Sequence, residues 1–374
     1  MSSMEMVFMI IAVSLGIFYS ILILSFMRGW MLLKKIELKD ECSTFISVII
    51  PLRNEAENLG QLLDHLGSIR YPDDLREFIF VNDHSTDDTA GVLNNIRSVK
   101  ILHLPDGVDG KKAAIRYGIE HASGRLITTL DADCLPGKNW LASIATYYEE
   151  GNFKMLAGPV AIHKPKGLLA NFQALELLSL VASGAGAIGI GKPIMCNGAN
   201  LTYEKKVFEV VDGFRGNDHI HGGDDIFLME KVNRQYPKGS VGFMKNPEGL
   251  VYTVSSSGLK EFLNQRFRWV GKSPAYKDGF LITSAIIVFG FNLALLLSLI
   301  WAYVSLPGLW VFISLFTLKC IIDFPILRSA TRFAGQHRLM LNYIPFQFIY
   351  FFFISLSGIL GIVLSFNWKG RSKN

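Results

Sequence analysis

The chain has 374 residues, half of them apolar, and a formal net charge of +5. That apolar share exceeds what a soluble domain of this length carries, and the small positive balance, much of it flanking apolar runs, argues against nucleic acid as a partner and for an anionic inner leaflet. The four cysteines have no paired spacing, which excludes a disulfide framework and a zinc site and suggests a reducing compartment.

Met6 to Met27 is a charge-free apolar run, longer than the ~20 residues a helix needs to cross the hydrocarbon layer. Glu5 stands where a cleavable signal would carry basic residues, and no small-residue cleavage site follows, so a retained anchor is expected. Arg28, Lys34, Lys35 and Lys39 come next, and the positive-inside rule then places the middle of the chain in the cytoplasm. From Cys42 to about Asp278 no spanning run occurs, which suits one large domain. The expected division is an anchor with its basic flank at 1–41, a cytoplasmic domain at 42–278 and a C-terminal membrane region with a basic tail at 279–374.

Within the middle domain, "FISVIIPL" (45–52) reads as a strand buried on both faces. Leu59, Leu62, Leu63 and Leu66 then form a helical stripe. The alternation repeats, with strands at "EFIFVND", "VKILHL" and "RLITTLD" and helices at "TDDTAGVLNNI" and "KKAAIRYGIEHA". It predicts an α/β fold with a mostly parallel sheet covered by helices. Such folds bind ligands at the carboxyl ends of their strands, where Arg53, Asn54, Glu55, Asp83, Asp131 and Asp133 collect. Singly, each is also a common turn or cap residue, and Asp87 and Asp88 read as caps.

The stretch "TTLDADCLPG" sets Asp131 and Asp133 at i and i+2, which on a strand point the same way. Two carboxylates held together need a cation or hydrogen bonds between them. With oxygen ligands only, the pair suits Mg²⁺ or Mn²⁺ holding a diphosphate. Cys134 beside them reads as a buried small residue rather than a nucleophile.

The segment "GLLANFQALELLSLVASGAGAIGIG" is apolar, but Glu176 and its glycines favour an interfacial or core helix over a span. Farther on, Arg266, Arg268, Lys272 and Lys277 precede the charge-free run Phe280 to Leu306, again as a cytoplasmic flank. Leu309 to Leu327 carries Lys319 and Asp323, spaced to pair on a helix. Tyr343 to Phe366 is a further charge-free run. Four full spans would put Lys369, Arg371 and Lys373 outside, so one segment is expected to be re-entrant or interfacial, either Leu309 to Leu327 or the run containing Pro345.

"SVIIPLRNEAENL", "VNDHSTDDT", "GKKAAIRYGIEHASG", "LDADC", "CNGANLTYEKKVFEVVDGF", "GGDDIFLMEKV" and "QRFRW" stand in an order and spacing that resembles the family 2 glycosyltransferases. The resemblance covers nearly the whole middle domain and implies a GT-A (nucleotide-diphospho-sugar transferase) fold flanked by transmembrane helices. It implies that Pro51, Arg53 and Glu55 line a nucleotide base pocket and that Asp83 accepts from the uracil ring. Asn82 departs from the family's usual Asp. Lys111 would meet the nucleotide or its diphosphate, with Lys112 beside it blurring the assignment. Asp131 would lie on the ribose or metal side, and Asp133 would be a direct metal ligand.

Asp225 takes the position of the family's catalytic base, with Asp224 where Glu is more usual. One of the two also reads as an N-cap for "IFLMEKVNRQ", for which Asp224 or the preceding Gly is favoured. Gly198 and Ala199 would form the floor under donor and acceptor, close to the ligand for want of bulk. His219 and His221 read as loop residues rather than metal ligands. Gln265, Arg268 and Trp269 match the family's Gln-x-x-Arg-Trp pattern, and on a helix they share one face. Arg268 would contact phosphate and Trp269 would stack on a sugar or acceptor; the plainer reading is a basic amphipathic helix on anionic lipid.

The implied activity is metal-dependent, inverting transfer of a hexosyl or N-acetylhexosaminyl group from a UDP-sugar at the cytoplasmic face of an inner or plasma membrane. The acceptor is either a lipid, as in ceramide glucosyltransferase-like enzymes whose tail "WKGR" resembles, or a growing polymer, as in processive polysaccharide synthases. A non-catalytic membrane scaffold is the third reading, for which loss of Asp133, Asp225 or Arg268 would be the signature; all three are present.

Overall fold

The computed structural model describes residues 3–39, 41–94, 99–217, 220, 222–363, 367–368 and 371–372, so His219, His221, Lys369 and Lys373 lie outside the described residues. The chain divides into two compact units, one of Met31–Lys164 with Ala187–Val254, the other of Met1–Trp30, Pro165–Gly186 and Ser255–Asn374.

The first unit contains β1 (Ile46–Leu52), β2 (Arg76–Asn82), β3 (Lys100–His103), β4 (Leu126–Thr129), β5 (Leu135–Pro136), β6 (Met155–Ala157), β7 (Val160–Ile162), β8 (Leu201–Glu204), β9 (Val241–Phe243) and β10 (Val251–Thr253). Seven of them form one sheet in the order β3-β2-β1-β4-β8-β6-β9, and β5-β10-β7 form a second. β1 pairs parallel with β2 and β4, Ile49 lying opposite Ile79 and Thr129. β3 continues this parallel set beyond β2. β8 returns antiparallel to both β4 and β6, and β9 is parallel to β6.

Val48, Ile49 and Ile50 are fully buried, as a strand covered on both faces requires. The helix Lys111–Glu120 packs on β1 and β2. Gly118 allows the close approach, since a Cβ there would stand 2.6 Å from Ile49 Cγ2. Successive strands move from β1 outward to β3, and the chain then crosses back to place β4 on the other side of β1. That reversal opens a crevice at the carboxyl ends of β1 and β4, the place where open α/β sheets bind ligands.

Five helices or helical stretches, Ser3–Leu32, Gly167–Gly189, Gly279–Ala302, Leu306–Phe333 and His337–Gly361, are long and apolar enough to cross a membrane, consistent with an integral membrane protein. Leu306–Phe333 and Tyr343–Val363 are each one continuous helix, of 28 and 21 residues. At 1.5 Å per residue these reach about 42 and 32 Å, so neither breaks in its middle as a re-entrant segment would. Pro325 sits inside the first without ending it. Gly167–Gly189 differs from the other four in being mostly buried within the protein, in keeping with a core helix.

The pairing expected within Leu309 to Leu327 is present. Lys319 Nζ lies 2.5 Å from Asp323 Oδ2 and donates to Tyr19 Oη at 3.0 Å. Tyr19 Oη in turn donates to Asp323 Oδ1 at 2.7 Å, and Gln347 Nε2 donates to Asp323 Oδ2 at 3.1 Å. With partners on two further helices, the buried charge pair is hydrogen-bonded as well as paired, the condition under which charges persist among apolar helices.

Candidate functional site

The site is assembled from the loops that leave the sheet at its carboxyl rim. After β1, Arg53 Nη1 donates to the Asp83 carbonyl at 3.2 Å and lies 3.7 Å from Asp83 Oδ1. Asp83 follows β2 directly, is almost fully buried, and accepts the Gly110 N–H on Oδ2 at 3.0 Å. Arg53 and Asp83 therefore meet, with Pro51 half-buried in β1 opposite Val81.

Asn54 has φ 55° and accepts the Thr86 N–H at 2.7 Å, tying the β1 loop to the β2 loop. Glu55 precedes the helix Ala56–Gly67 and accepts from Asn58 Nδ2 at 2.7 Å. Asp87 is a cap, as expected: its oxygens accept the N–H groups of Ala56 and Thr89, each at 3.1 Å. Burial would raise its carboxyl, but these bonds and the Thr89 hydroxyl hold it below the usual carboxylate range.

The two adjacent lysines separate into different jobs. Lys111 Nζ lies 2.5 Å from Asp131 Oδ1. Burial alone would lower its pKa, yet the charges of Asp131, Asp224 and Asp225 outweigh burial and raise it, so it stays protonated. Lys112 turns away and donates to the carbonyls of Asn217 and Ile220, at 2.5 and 2.8 Å, ahead of the Gly-Gly-Asp-Asp turn.

Asp131 and Asp133 are not on a strand, which corrects the alternation argument. β4 ends at Thr129, and the pair occupies a turn closed by the Cys134 N–H donating to the Asp131 carbonyl at 3.0 Å. The carboxylates still sense one another: burial first, and then the Asp131 charge, push the Asp133 carboxyl up. Among the described residues Asp133 accepts from Thr253 Oγ1 at a long 3.4 Å and from the weak donor Cys134 Sγ at 3.3 Å. A half-buried carboxylate with weak donors and a negative neighbour fits a hard divalent cation. Among the described residues no group of three or more His, Cys, Asp or Glu is placed to hold a metal alone, so a cation here would need a diphosphate and water as further ligands. Burial and the neighbouring carboxylates also push the Cys134 thiol up, so it packs as a protonated group.

On the other wall, Gly198 lies in a short 3₁₀ turn before β8. Its N–H donates to Asp225 Oδ2 at 3.0 Å, and its carbonyl accepts from Thr129 Oγ1 at 2.6 Å. Asp225 Oδ1 accepts the Ile226 N–H at 2.8 Å. A Cβ on Gly198 would stand 3.4 Å from Asp224 Oδ2, an ordinary van der Waals contact, so the acidic pair lies directly against this turn at the end of β4. The residue before the helix Asp224–Gln235 is Gly223, with φ 69°, and Asp224 is buried in the first turn.

Asn200 holds this wall and carries no signal in the sequence beyond an amide in an apolar stretch. It donates to the carbonyls of Pro159 and Gly249 at 2.9 and 3.0 Å and accepts from Trp140 Nε1 at 3.0 Å.

Gln265, Arg268 and Trp269 belong to the other unit, on the helix Leu259–Val270, with the spacing that puts them on one face. Arg266 is not the membrane-flanking charge it was expected to be. It is buried against Glu176, donating through Nε at 2.9 Å and also through Nη2.

Residues 47–206 match the family model described as Glycosyl transferase family 2. The glycosyltransferase AglE of Haloferax volcanii is 31% identical over 194 residues, covering 50% of this chain and 61% of AglE. The poly-β-1,6-N-acetyl-D-glucosamine synthase of Staphylococcus aureus is 23% identical over 273 residues, covering 70% of this chain and 63% of the synthase. The chain thus spans 61% and 63% of the lengths of these two relatives. Among solved structures, the mannosyltransferase PcManGT of Pyrobaculum calidifontis, in complex with GDP-Man and Mn²⁺, shares the fold with a TM-score of 0.58 at 16% identity, covering 92% of this chain and 99% of its own. The strand order, the rim of acidic and basic side chains and the family match agree: this chain carries a family 2 glycosyltransferase domain of the GT-A fold.

Proposed function

We propose that the protein is an inverting, membrane-bound glycosyltransferase that moves a hexosyl or N-acetylhexosaminyl group from a UDP-sugar to a lipid acceptor at the cytoplasmic face. The observation that carries this reading is the convergence of Asp83, the Lys111–Asp131 pair, Asp133 and the Gly198–Asp225 contact on one rim of one sheet.

In this reading Pro51, Arg53, Glu55 and Asp83 hold the nucleoside. Lys111 stands where the diphosphate enters and keeps its proton there. Asp131 and Asp133 would hold Mg²⁺ or Mn²⁺, which when bound supplies charge compensation for the leaving diphosphate. Asp225 takes the proton from the acceptor hydroxyl, and the Gly198 N–H fixes the orientation of that carboxylate. One base suffices for direct displacement, in contrast to the paired carboxylates of glycoside hydrolysis. Asp224 and Gly198 shape the floor, and Gln265, Arg268 and Trp269 serve the phosphate and the acceptor.

A lipid acceptor is favoured because the helix bearing Arg268 and Trp269 is followed within a few residues by the apolar helix Gly279–Ala302, so a hydroxyl at headgroup level can reach it without leaving the bilayer. The polymer reading is supported by the relative named as a polysaccharide synthase. Isolated membranes given labelled UDP-sugars with Mn²⁺ or Mg²⁺ separate the two. Label is expected in an organic-solvent-extractable product. Label in an insoluble polymer that a glycosidase digests would establish the processive reading instead. GDP-sugars belong in the same panel, since the mannosyltransferase sharing the fold holds GDP-Man.

A further inference from the structure

The buried pair Glu176–Arg266 has no part in the chemistry above, and its surroundings give it one. Arg266 and Glu176 are 6% and 4% exposed. The guanidinium is shared among four groups. Nε and Nη2 donate to the two oxygens of Glu176, and Nη1 donates to Gln265 Oε1. Its Cζ lies over two rings, 4.0 Å from the Trp269 ring centroid and 4.7 Å from that of Phe262.

The helix Gly167–Gly189 also grips the segment leading into the motif helix. Gln173 Nε2 donates to the Ser256 carbonyl at 3.2 Å, and the Ser256 N–H donates to Gln173 Oε1 at 2.9 Å. Phe172 meets Phe262 edge to face at 6.0 Å.

We propose that Arg266, oriented by Glu176, is a positioning residue that sets the side chains of Gln265 and Trp269 for transfer. This rests on the proposed glycosyl transfer, in which those two residues face the acceptor. The geometry explains why the residue is arginine. A forked donor bonds a carboxylate through two nitrogens and still offers a third to Gln265, while its flat face stacks on an indole. Lysine can neutralise Glu176, but it has no planar fork to bond both carboxylate oxygens while donating to Gln265, and no flat face to lay on the indole. The charge that argues against Gly167–Gly189 as a membrane span thereby becomes the anchor of the motif helix.

The test separates positioning from mere support of the fold. Replacing both partners with Leu (Glu176→Leu with Arg266→Leu) removes the charges together, a change that buried pairs often tolerate because no uncompensated charge remains. The full chain in detergent, labelled with 5-fluorotryptophan, gives a ¹⁹F resonance for Trp269 that is assigned by its loss in Trp269→Phe. The double variant is expected to keep its melting temperature and its UDP affinity, to shift the Trp269 resonance, and to lose about 10- to 100-fold in kcat, as small misplacements near a reacting group do. An unmoved resonance, or wild-type kcat, would overturn the proposal.

Should the double variant fail to fold, Arg266→Lys decides in its place. It keeps the charge opposite Glu176 and is expected to show the same shift and loss; an unchanged resonance and kcat there would overturn the proposal equally. A wild-type protein that transfers no sugar would sink the proposed function but not the placement of Trp269, which the resonance alone then decides.

Discussion

Asp225→Asn is expected to lower sugar transfer by about 10²–10⁴, the range for loss of a general base, while UDP affinity stays near that of the wild type. The substitution leaves Asp83, Lys111, Asp131 and Asp133 in place and removes the group proposed to take the acceptor proton. It also disturbs one bond, because Asp225 accepts from both the Gly198 and Ile226 N–H groups and an amide can accept with only one of its two ends. That change is worth about 1 kcal/mol, too little to account for the loss in rate, and the melting temperature measured alongside reports it. UDP affinity falling as far as the rate would mean that Asp225 binds the nucleotide rather than serving as base.

Asp133→Ala acts at the other end of the reaction. Titration of UDP with and without Mn²⁺ is expected to show strong enhancement by the ion in the wild type and none in the variant, because the carboxylate that balances the cation is gone. The wild-type enhancement should also weaken as pH falls. Burial and the Asp131 charge raise the Asp133 carboxyl, so a proton returns to it at a higher pH than to an ordinary carboxyl and competes with the ion. An unchanged Mn²⁺ enhancement in Asp133→Ala would refute this role.

Much of the fold can be read from the residues, and the parts that cannot share a cause. β1 announces itself as a continuous apolar run because both of its faces are covered, and β2 and β4 show as short buried stretches in the alternation of strands and helices. The helix between β3 and β4 shows its start in the two lysines, but which lysine faces the site depends on the helix's rotation against the sheet, and only packing sets that. The strand β8 runs opposite to its neighbours, a property of the chain's return path that a local pattern does not carry.

The turn holding Asp131 and Asp133 begins two residues after β4 ends. An apolar run cannot mark that boundary, because Leu130 is buried beyond the strand as well as the residues within it. The partnership of Glu176 with Arg266, 90 positions apart, is invisible without the tertiary structure. In the sequence the first looks like an interruption and the second like a flanking charge. Asn200 is hidden in the same way, since its three hydrogen bonds reach Trp140, Pro159 and Gly249 from far along the chain.

The most direct test of a single displacement with Asp225 as its base is the configuration of the glycosidic bond that forms. With an α-linked UDP-sugar as donor, the product isolated from membranes containing the protein is expected to carry the sugar in β linkage, read from the anomeric proton coupling in its NMR spectrum. One base opposite the leaving diphosphate can produce only that outcome. An α-linked product would contradict the account, because retention needs either a second displacement or attack from the side of the leaving group, and neither is a role for Asp225.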